Sequence, residues 1–228
     1  MIELTAAMCG RFALYDDPRQ VAESFGFPLA SGATFPPARY NIPPGGPIVA
    51  IAATEGDPEV TTLQWSFKPR WAPEDAPRTH VARAESLASS RFWKGAFARH
   101  RCLVPVNGWF EWRHEGERKL PFYFHGASSG MLLLAGVFTK RADGELGCAI
   151  VTQPAQGVAK QIHSRMPVVV AAGADAWLDP EVQDRDTLKQ QLKPLHPSQL
   201  ATYEVGQEVN DATADGQHLL APAEGCAG

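Results

Sequence analysis

The chain has 228 residues, of which 44% are hydrophobic and 20% are charged, and its formal net charge is −4 at pH 7. This composition is typical of a folded globular protein with one domain or two small ones. No apolar run approaches the ~18 residues of a membrane-spanning helix, and the N-terminus lacks the basic start and apolar segment of a secretion signal, so we expect neither a membrane protein nor a secreted one.

The first half of the chain is predicted to combine two helices with two strands. The tripeptide Asp-Asp-Pro at 16–18 is typical of a helix start, and this helix should end near Phe25. Proline pairs lie on both sides of 39–41, which we expect to be irregular. Further along we predict strands over 48–53 and 60–67, a loop over 68–77 and a helix over 85–100.

The second half begins with a block of short segments rich in β-branched and aromatic residues. These are predicted strands over 102–106, 109–113, 120–125, 131–138 and 146–152, with hairpin turns at 115–116 and 142–144. After them we predict a short helix over 154–162, a buried strand over 166–171, a helix over 175–192 interrupted at Pro180, and strand-like pieces at 202–205 and 218–220. Clustered strands with helices at their edges predict a single α+β domain with a mostly antiparallel sheet.

The charge is unevenly distributed along the chain. The segment 68–119 holds 11 Lys and Arg against 6 Asp and Glu, whereas the remainder holds 10 against 19. Five of the six tryptophans lie in or beside this segment. Arginines mixed with aromatic residues suit a groove that follows a single nucleic-acid strand, whereas a tryptophan-rich core with a solvated basic rim is the alternative. Composition alone favours neither.

The cysteines and histidines show no metal-binding pattern. The four cysteines form no C-x-x-C pair, and the seven histidines show neither H-x-x-x-H nor H-E-x-x-H spacing. We therefore predict no metal site, no cofactor, and a reducing, cytoplasmic location.

A cysteine near the start of the chain is the first candidate for chemistry. If the chain begins at Met8, or is cut after it, Cys9 carries a free amine beside a free thiol. The ordinary pKa of such an amine is ~8 and that of a thiol is ~8.5, so both nucleophilic forms are present at neutral pH. The pair can condense with an aldehyde to an imine and then close a thiazolidine ring. The alternative is a small buried cysteine in an N-terminal strand.

Two further residues have the chemistry of proton transfer. In a strand, Trp109 and Glu111 face one side and the neighbouring aromatic residues face the other, so Glu111 should be partly buried beside tryptophan, unless it is an exposed strand glutamate. His163 falls at a predicted helix-to-strand junction, where an imidazole can move a proton or simply cap the helix. Arg83 lies beside a predicted helix start, where it can hold a phosphate or pair with Glu85.

Six motifs occur in a fixed order along the chain. They are Cys-Gly-Arg-Phe after a methionine, Arg-Tyr-Asn-Ile-x-Pro, Trp-x-x-x-Pro-x-Trp, Ala-Arg-x-Glu, Cys-Leu-x-Pro-x-x-Gly-Trp-Phe-Glu-Trp and Ile-His-x-Arg-Met-Pro. Together they resemble the SRAP (SOS-response-associated peptidase) family of abasic-site processing proteins, and the resemblance runs from Met8 to about Pro222.

The resemblance implies a DNA-damage function. Members of the family bind single-stranded DNA and trap the ring-opened aldehyde of an abasic site as a thiazolidine on the N-terminal cysteine, which is exposed by removal of a methionine, in some accounts by self-cleavage. By resemblance, Cys9 is the nucleophile, and Glu111 and His163 move protons. The resemblance also implies a barrel-like sheet, a monomer, and association with the nucleoid on DNA. The implied DNA contacts are Arg11, Asn41, Pro44, Trp71, Arg83 and Arg91.

The chain departs from the family pattern in two places. Cys9 is not residue 2, so residues 1–7 are interpreted as a mis-annotated or removable tail before a domain over 8–222, with a disordered tail over 223–228. Val81 stands where the family usually has asparagine, and His80 or Asn107 is a candidate replacement. Two other functions stay open: a thiol peptidase or amidase using Cys9, His163 and Glu111, and a non-catalytic single-strand binder.

Overall fold

The elements of the fold are taken from a computed structural model that describes residues 10–128, 130–184, 186–188 and 193–223. The strands are β1 (Phe12–Leu14), β2 (Arg39–Ile42), β3 (Pro47–Ala52), β4 (Glu59–Gln64), β5 (Val81–Arg83), β6 (Arg101–Val106), β7 (Gly108–Glu115), β8 (Arg118–Gly126), β9 (Leu132–Lys140), β10 (Leu146–Pro154), β11 (Arg165–Pro167), β12 (Val169–Ala172), β13 (Lys193–Pro194) and β14 (Leu200–Glu204). The α-helices are α1 (Pro18–Phe25), α2 (Lys94–Arg99) and α3 (Ala174–Leu178).

The strands form two mostly antiparallel sheets. The smaller has the order β14-β8-β7-β1-β2, and the larger has the order β11-β10-β4-β3-β6-β9-β12-β13, with β5 paired to β10. In the larger sheet β9 also pairs with β10, so β10, β4, β3, β6 and β9 form a closed ring. A sheet that closes on itself is a barrel. The predicted α+β class with a barrel-like sheet and few helices is therefore confirmed.

The main core lies between the two sheets, and a smaller one covers the far side of the smaller sheet. Trp109 of β7 packs in the main core, whereas Phe110 belongs to the second cluster and Trp112 packs against it. This alternation confirms the predicted facing of β7. The strand begins at Gly108, where a Cβ would clash with the carbonyl oxygen of Phe124 and the ring of Tyr123, so only glycine fits.

The start of α1 and the β-rich block agree with the sequence. Asp17 caps the helix, accepting hydrogen bonds from the backbone of Arg19 and Gln20, and Pro18 occupies its first turn. The five strands predicted between 102 and 152 are all present as β6 to β10, and the two predicted hairpin turns connect β7 to β8 and β9 to β10.

The helix predicted over 85–100 is wrong in its first half. Only α2 is helical, and the preceding residues form turns. The hydroxyls of Ser86 and Ser89 donate to the carbonyls of Arg83 and Ser86, and Ser90 accepts from the backbone of Phe92. Such local side-chain bonds compete with the helical backbone pattern.

The helix predicted over 175–192 with an interruption at Pro180 is confirmed where it is described. The first part, α3, ends at Leu178 because Asp179 precedes a proline and is extended, and residues 186–188 are again helical; residues 185 and 189–192 lie outside the described residues. Three other predicted elements need correction. Residues 39–41 belong to β2 rather than to an irregular segment. The predicted helix over 154–162 is a 3₁₀ turn at Gly157–Gln161, and 218–220 lies in another at Gln217–Leu220.

Candidate active site and nucleic-acid interface

Glu111 lies in the middle of β7 and is 3% exposed, which is deeper than the partial burial that the sequence predicted. Its cross-strand partner in β8 is Phe122. Two residues earlier, Trp109 stacks on Phe124 with ring centroids 5.1 Å apart. The carboxyl group is therefore placed in a sheet whose neighbouring positions are aromatic.

The start of the chain runs antiparallel beside this part of β7. Phe12 of β1 is the register partner of Trp109, and the backbone N–H of Phe110 donates to the carbonyl oxygen of Arg11 over 2.9 Å. Cys9 itself lies outside the described residues, as do Met8 and the predicted tail over 1–7.

His163 lies between the 3₁₀ turn Gly157–Gln161 and β11, which confirms the predicted junction. Its Nδ1 is 3.1 Å from the backbone nitrogen of Arg165 and 3.2 Å from the carbonyl oxygen of the same residue. Burial lowers the pKa of His163; a hydrogen bond that the ring donates to the carbonyl oxygen of Arg165 opposes this, while positive charge on His114 and Arg165 adds to the lowering. The imidazole is therefore neutral at pH 7 and able to accept a proton.

His163 lies near the last residues of β7. His114, the residue before the last in that strand, is close enough to His163 for its charge to affect the imidazole. Glu111 lies three residues before His114, in the middle of the strand.

Arg83 ends β5 and has an exposed side chain. Thr152 of β10 is its register partner. The sequence left open a pairing of Arg83 with Glu85, but both oxygens of Glu85 bind the guanidinium of Arg165 instead. The Arg83 side chain therefore projects from the sheet next to a carboxylate that is already engaged.

Arg11 and Asn41 are joined in the interior. Asn41 is completely buried; its Oδ1 accepts from Nη1 of Arg11 over 2.9 Å, and its Nδ2 donates to the carbonyls of Asp211 and Ala214. Arg11 also donates to the carbonyl of Val209. The Asn41 amide thus serves as an internal anchor for Arg11 and for the C-terminal segment, a role that the sequence did not suggest.

Trp71 and Arg91 form an exposed aromatic and basic platform. Trp71 is 56% exposed, the guanidinium carbon of Arg91 lies 5.4 Å from its ring centroid, and Phe92 meets it edge-on at 6.1 Å. A cavity of about 430 Å³ opens beside them, and Lys94 and His100 contribute to its lining. This predicted pair is therefore together on the surface, next to a basic cavity.

The platform lies away from the His163 junction. Thr139, which also lines the cavity, pairs with Gly147 of β10, and Thr152 beside the junction is five residues further along that strand. At 3.3–3.4 Å per residue, Gly147 and Thr152 are about 17 Å apart along β10. Pro44 is half-buried in the loop between β2 and β3.

Two of the four cysteines can be assessed directly. Cys102 and Cys148 are free and buried, and burial raises the pKa of both thiols, that of Cys148 to about 12. Such thiols are poor nucleophiles at neutral pH. Cys226 lies outside the described residues.

The candidate replacements for the missing asparagine differ in their surroundings. Asn107 is already engaged: its Oδ1 accepts from the backbone of Tyr15, and its Nδ2 donates to Asp16 over 2.6 Å. The carbonyl of His80 accepts from the indole of Trp65. Because the Asn107 side chain is bound to Tyr15 and Asp16, His80 is the remaining candidate.

Two residues of the site were missed by sequence reasoning. Arg165 and Thr152 bind each other beside His163, the guanidinium donating to the carbonyl and to Oγ1 of Thr152. Arg165 stands inside the motif Ile-His-x-Arg-Met-Pro, so the motif carried the signal, whereas nothing in the sequence marks Thr152.

Within the described ranges, no group of three or more His, Cys, Asp or Glu side chains is arranged to hold a metal ion. No described helix has the length and apolarity that a membrane crossing requires.

Comparison with known proteins confirms the resemblance drawn from the motifs. The family model "SOS response associated peptidase (SRAP)" matches residues 8–212. The abasic site processing protein YoqW of Bacillus subtilis is 27% identical over 223 residues, which is 93% of this chain and 99% of YoqW; YedK of Escherichia coli is 26% identical over 94% of this chain and 100% of YedK.

Solved structures show the same fold. A Bacteroides thetaiotaomicron protein superposes with a TM-score of 0.79 at 22% identity, over 94% of this chain and 100% of the other. A phage-related protein of Bordetella bronchiseptica has a TM-score of 0.70 at 30% identity, over 88% and 95% of the two chains. Since the family model covers most of the length and the motifs fall in the same order on this fold, the chain belongs to the SRAP family.

Proposed function

We propose that the protein processes abasic sites in DNA by binding single-stranded DNA and forming a covalent crosslink through Cys9. The observation that carries the proposal is the pairing of β1 with β7: Phe110, the neighbour of Glu111, donates to the carbonyl of Arg11. Cys9 is two residues before Arg11 in the sequence. Relatives named abasic site processing proteins support the same activity.

The proposed reaction needs no cofactor. The Cys9 amine attacks the aldehyde carbon of the ring-opened sugar to give a carbinolamine, which loses water to form an imine. The thiolate then adds to the imine carbon, and the nitrogen takes up a proton, closing the thiazolidine. One water leaves in total. Glu111 supplies a proton to the departing hydroxyl, and neutral His163 accepts one from the nucleophile.

The reaction requires a free amine on Cys9. In a chain that carries the leader, the bond between Met8 and Cys9 must therefore be hydrolysed. In a chain whose synthesis begins at Met8, that methionine must be removed. An amide nitrogen in an intact leader cannot form an imine. We propose that the protein carries out this cleavage itself, with water adding to the Met8 carbonyl and the Cys9 amine leaving with a proton.

The surface supports a path for the DNA strand. Arg83 is exposed and its neighbour Glu85 is occupied by Arg165, so the Arg83 charge is available to a phosphate. The platform of Trp71 and Arg91 offers a stacking surface for a base away from the junction. Pro44 lies on a loop of the same molecule and is proposed to line the lesion. Arg11 is also proposed to contact the DNA, with its side chain held in place by the hydrogen bond to Asn41.

The direct test is a single-stranded oligonucleotide with one abasic site, incubated with protein that starts at Cys9 and then heated in detergent. We expect a heat-resistant adduct that is lost in Cys9→Ala and kept in the matched control Cys226→Ala. The same oligonucleotide without the lesion should give none. A persistent adduct in Cys9→Ala would contradict the proposal.

The same samples separate the other functions. A thiol peptidase predicts turnover of peptide substrates without an adduct. A non-catalytic binder predicts salt-sensitive binding without covalent product, whatever residue occupies position 9. Protein that keeps residues 1–8 should bind the oligonucleotide but fail to crosslink until the leader is removed.

A further inference from the structure

A carboxylate and a guanidinium meet beside His163 and have no part in the chemistry above. We propose that Glu85 and Arg165 are a positioning pair that holds His163 in the orientation needed for proton transfer. The inference rests on the proposed function, because it concerns the role of His163 in that reaction.

The ion pair has two parallel hydrogen bonds. Nη1 of Arg165 donates to Oε1 of Glu85 over 2.6 Å, and Nη2 donates to Oε2 over 2.9 Å. This bidentate geometry fixes the plane of the guanidinium as well as its position. The Arg165 side chain is 13% exposed, so water competes little for these bonds.

The guanidinium is also tied to the larger sheet. Nη2 of Arg165 donates to the carbonyl oxygen of Thr152 over 2.7 Å and approaches its Oγ1 at 3.2 Å. The Thr152 hydroxyl donates to the carbonyl of Ala82 over 3.3 Å. Arg165 is therefore held against β10 and, through Thr152, against β5.

The backbone of the same residue orients the imidazole. Its nitrogen lies 3.1 Å from Nδ1 of His163, and its carbonyl oxygen lies 3.2 Å away. Because one residue carries both sets of contacts, fixing the Arg165 side chain restricts the peptide that holds the ring. Proton exchange is then left to Nε2 of His163.

The charges agree with this role. The titratable and charged groups that act on His163 are Arg165 and His114, both of which disfavour its protonation. The Glu85 carboxylate offsets the charge of Arg165. Half of the Glu85 side chain is exposed, and exposed carboxylates contribute little to folding stability. Its removal should therefore alter the site and leave the fold intact.

The test is Glu85→Gln, which keeps the size of the side chain and removes its charge. In single-turnover crosslinking, we expect the rate at saturating abasic-site DNA to fall about tenfold, since a misplaced catalytic group can cost up to ~10²-fold. The DNA concentration giving half the maximal rate should stay within about twofold. Asp143→Asn removes the carboxylate from another surface arginine pair and should change neither quantity.

The pathway of the effect is tested in a variant that lacks the imidazole. Glu85→Gln should slow the wild type but have no further effect in His163→Gln, because the pair acts only through that ring. A full additional loss in His163→Gln, or a wild-type rate in Glu85→Gln, overturns the proposal. A Glu85→Gln protein whose half-saturating DNA concentration rises while its maximal rate is unchanged also overturns it.

The outcomes distinguish the positioning role from the underlying function. If His163→Gln is slow and Glu85→Gln is normal, only the positioning role fails. If His163→Gln itself crosslinks like the wild type, the catalytic assignment of His163 fails and the positioning role fails with it. Loss of the adduct in Cys9→Ala remains the separate test of the covalent bond.

Discussion

The side chains at the proposed site owe their properties to burial and to a few specific bonds. His163 combines the two, since burial lowers its pKa and the Arg165 backbone holds its Nδ1. The motifs predicted Glu111 and His163, but not Arg165 as the partner of Glu85. These two residues are 80 positions apart in sequence, and no periodicity or local spacing predicts such a pairing.

The pH dependence of crosslinking follows from the lowered pKa of His163. A neutral imidazole accepts a proton, so the rate should fall as the pH drops through the pKa of the ring, which lies below the ordinary value of about 6.5. The measurement is the single-turnover rate from pH 4.5 to 8 at saturating DNA, with His163→Gln as control. Because the Cys9 amine also becomes protonated as the pH falls below ~8, the test is the difference between the two proteins, and an identical acid limb in His163→Gln would contradict this assignment.

Asn41 should be important for stability. Truncation to alanine removes a fully buried amide and leaves the partly buried carbonyls of Asp211 and Ala214 and one N–H of Arg11 without this partner, so Asn41→Ala should lower the free energy of unfolding by about 2–4 kcal/mol. Urea denaturation measures it. Asn210→Ala, which removes an exposed amide that accepts from Trp112, should cost less than about 1 kcal/mol. Equal losses in the two variants would show that burial of Asn41 is not the cause.

At the level of elements, the sequence predicted strands better than helices. The β6–β10 block has alternating or continuous apolar patterns that set each strand. The helix predicted over 85–100 fails because three serines bond to nearby backbone. The ring closes through the pairing of β10 with β4, which lie far apart in the sequence, and the strand patterns alone do not specify that pairing.

Trp71 and Arg91, which precedes α2, form one platform. Its contribution to the affinity for DNA should depend on the length of the oligonucleotide. Trp71→Ala should weaken binding by about 1–3 kcal/mol, the usual value of base stacking on an aromatic ring. The loss should appear only with oligonucleotides whose flank is long enough to reach from the lesion to the platform. Fluorescence anisotropy with a series of flank lengths tests this. Trp71→Phe should recover part of the affinity, and a loss independent of length would place the contact elsewhere.

Over the whole molecule, the charge separation predicts how binding responds to salt. The segment 68–119 carries a net positive charge on a protein whose overall charge is −4. Arg83 lies in that segment at an exposed strand end. The composition identified the basic segment, but only the structure shows that both oxygens of Glu85 are hydrogen-bonded to Arg165, so that Arg83 acts on this carboxylate through its charge alone.

Arg83→Ala should therefore flatten the salt dependence of DNA binding by about one unit of slope in a plot of log affinity against log salt, the value for one lost phosphate contact. The affinity of undamaged single strands is measured between 50 and 300 mM salt. Arg19→Ala, an exposed arginine in α1, is the matched control and should keep the wild-type slope. An unchanged slope in Arg83→Ala would argue against a phosphate at that position.

The hydrogen bonds from Arg11 and Asn41 to the segment 209–214 connect the N-terminal part of the chain to its C-terminal part. A ribosome must release nearly the whole chain before these partners meet, since Asn41 and Ala214 are 173 positions apart. Until then Arg11 and Asn41 lack these hydrogen-bond partners. The self-cleavage proposed above, which needs the folded site, is therefore expected only after the C-terminal segment has been synthesised.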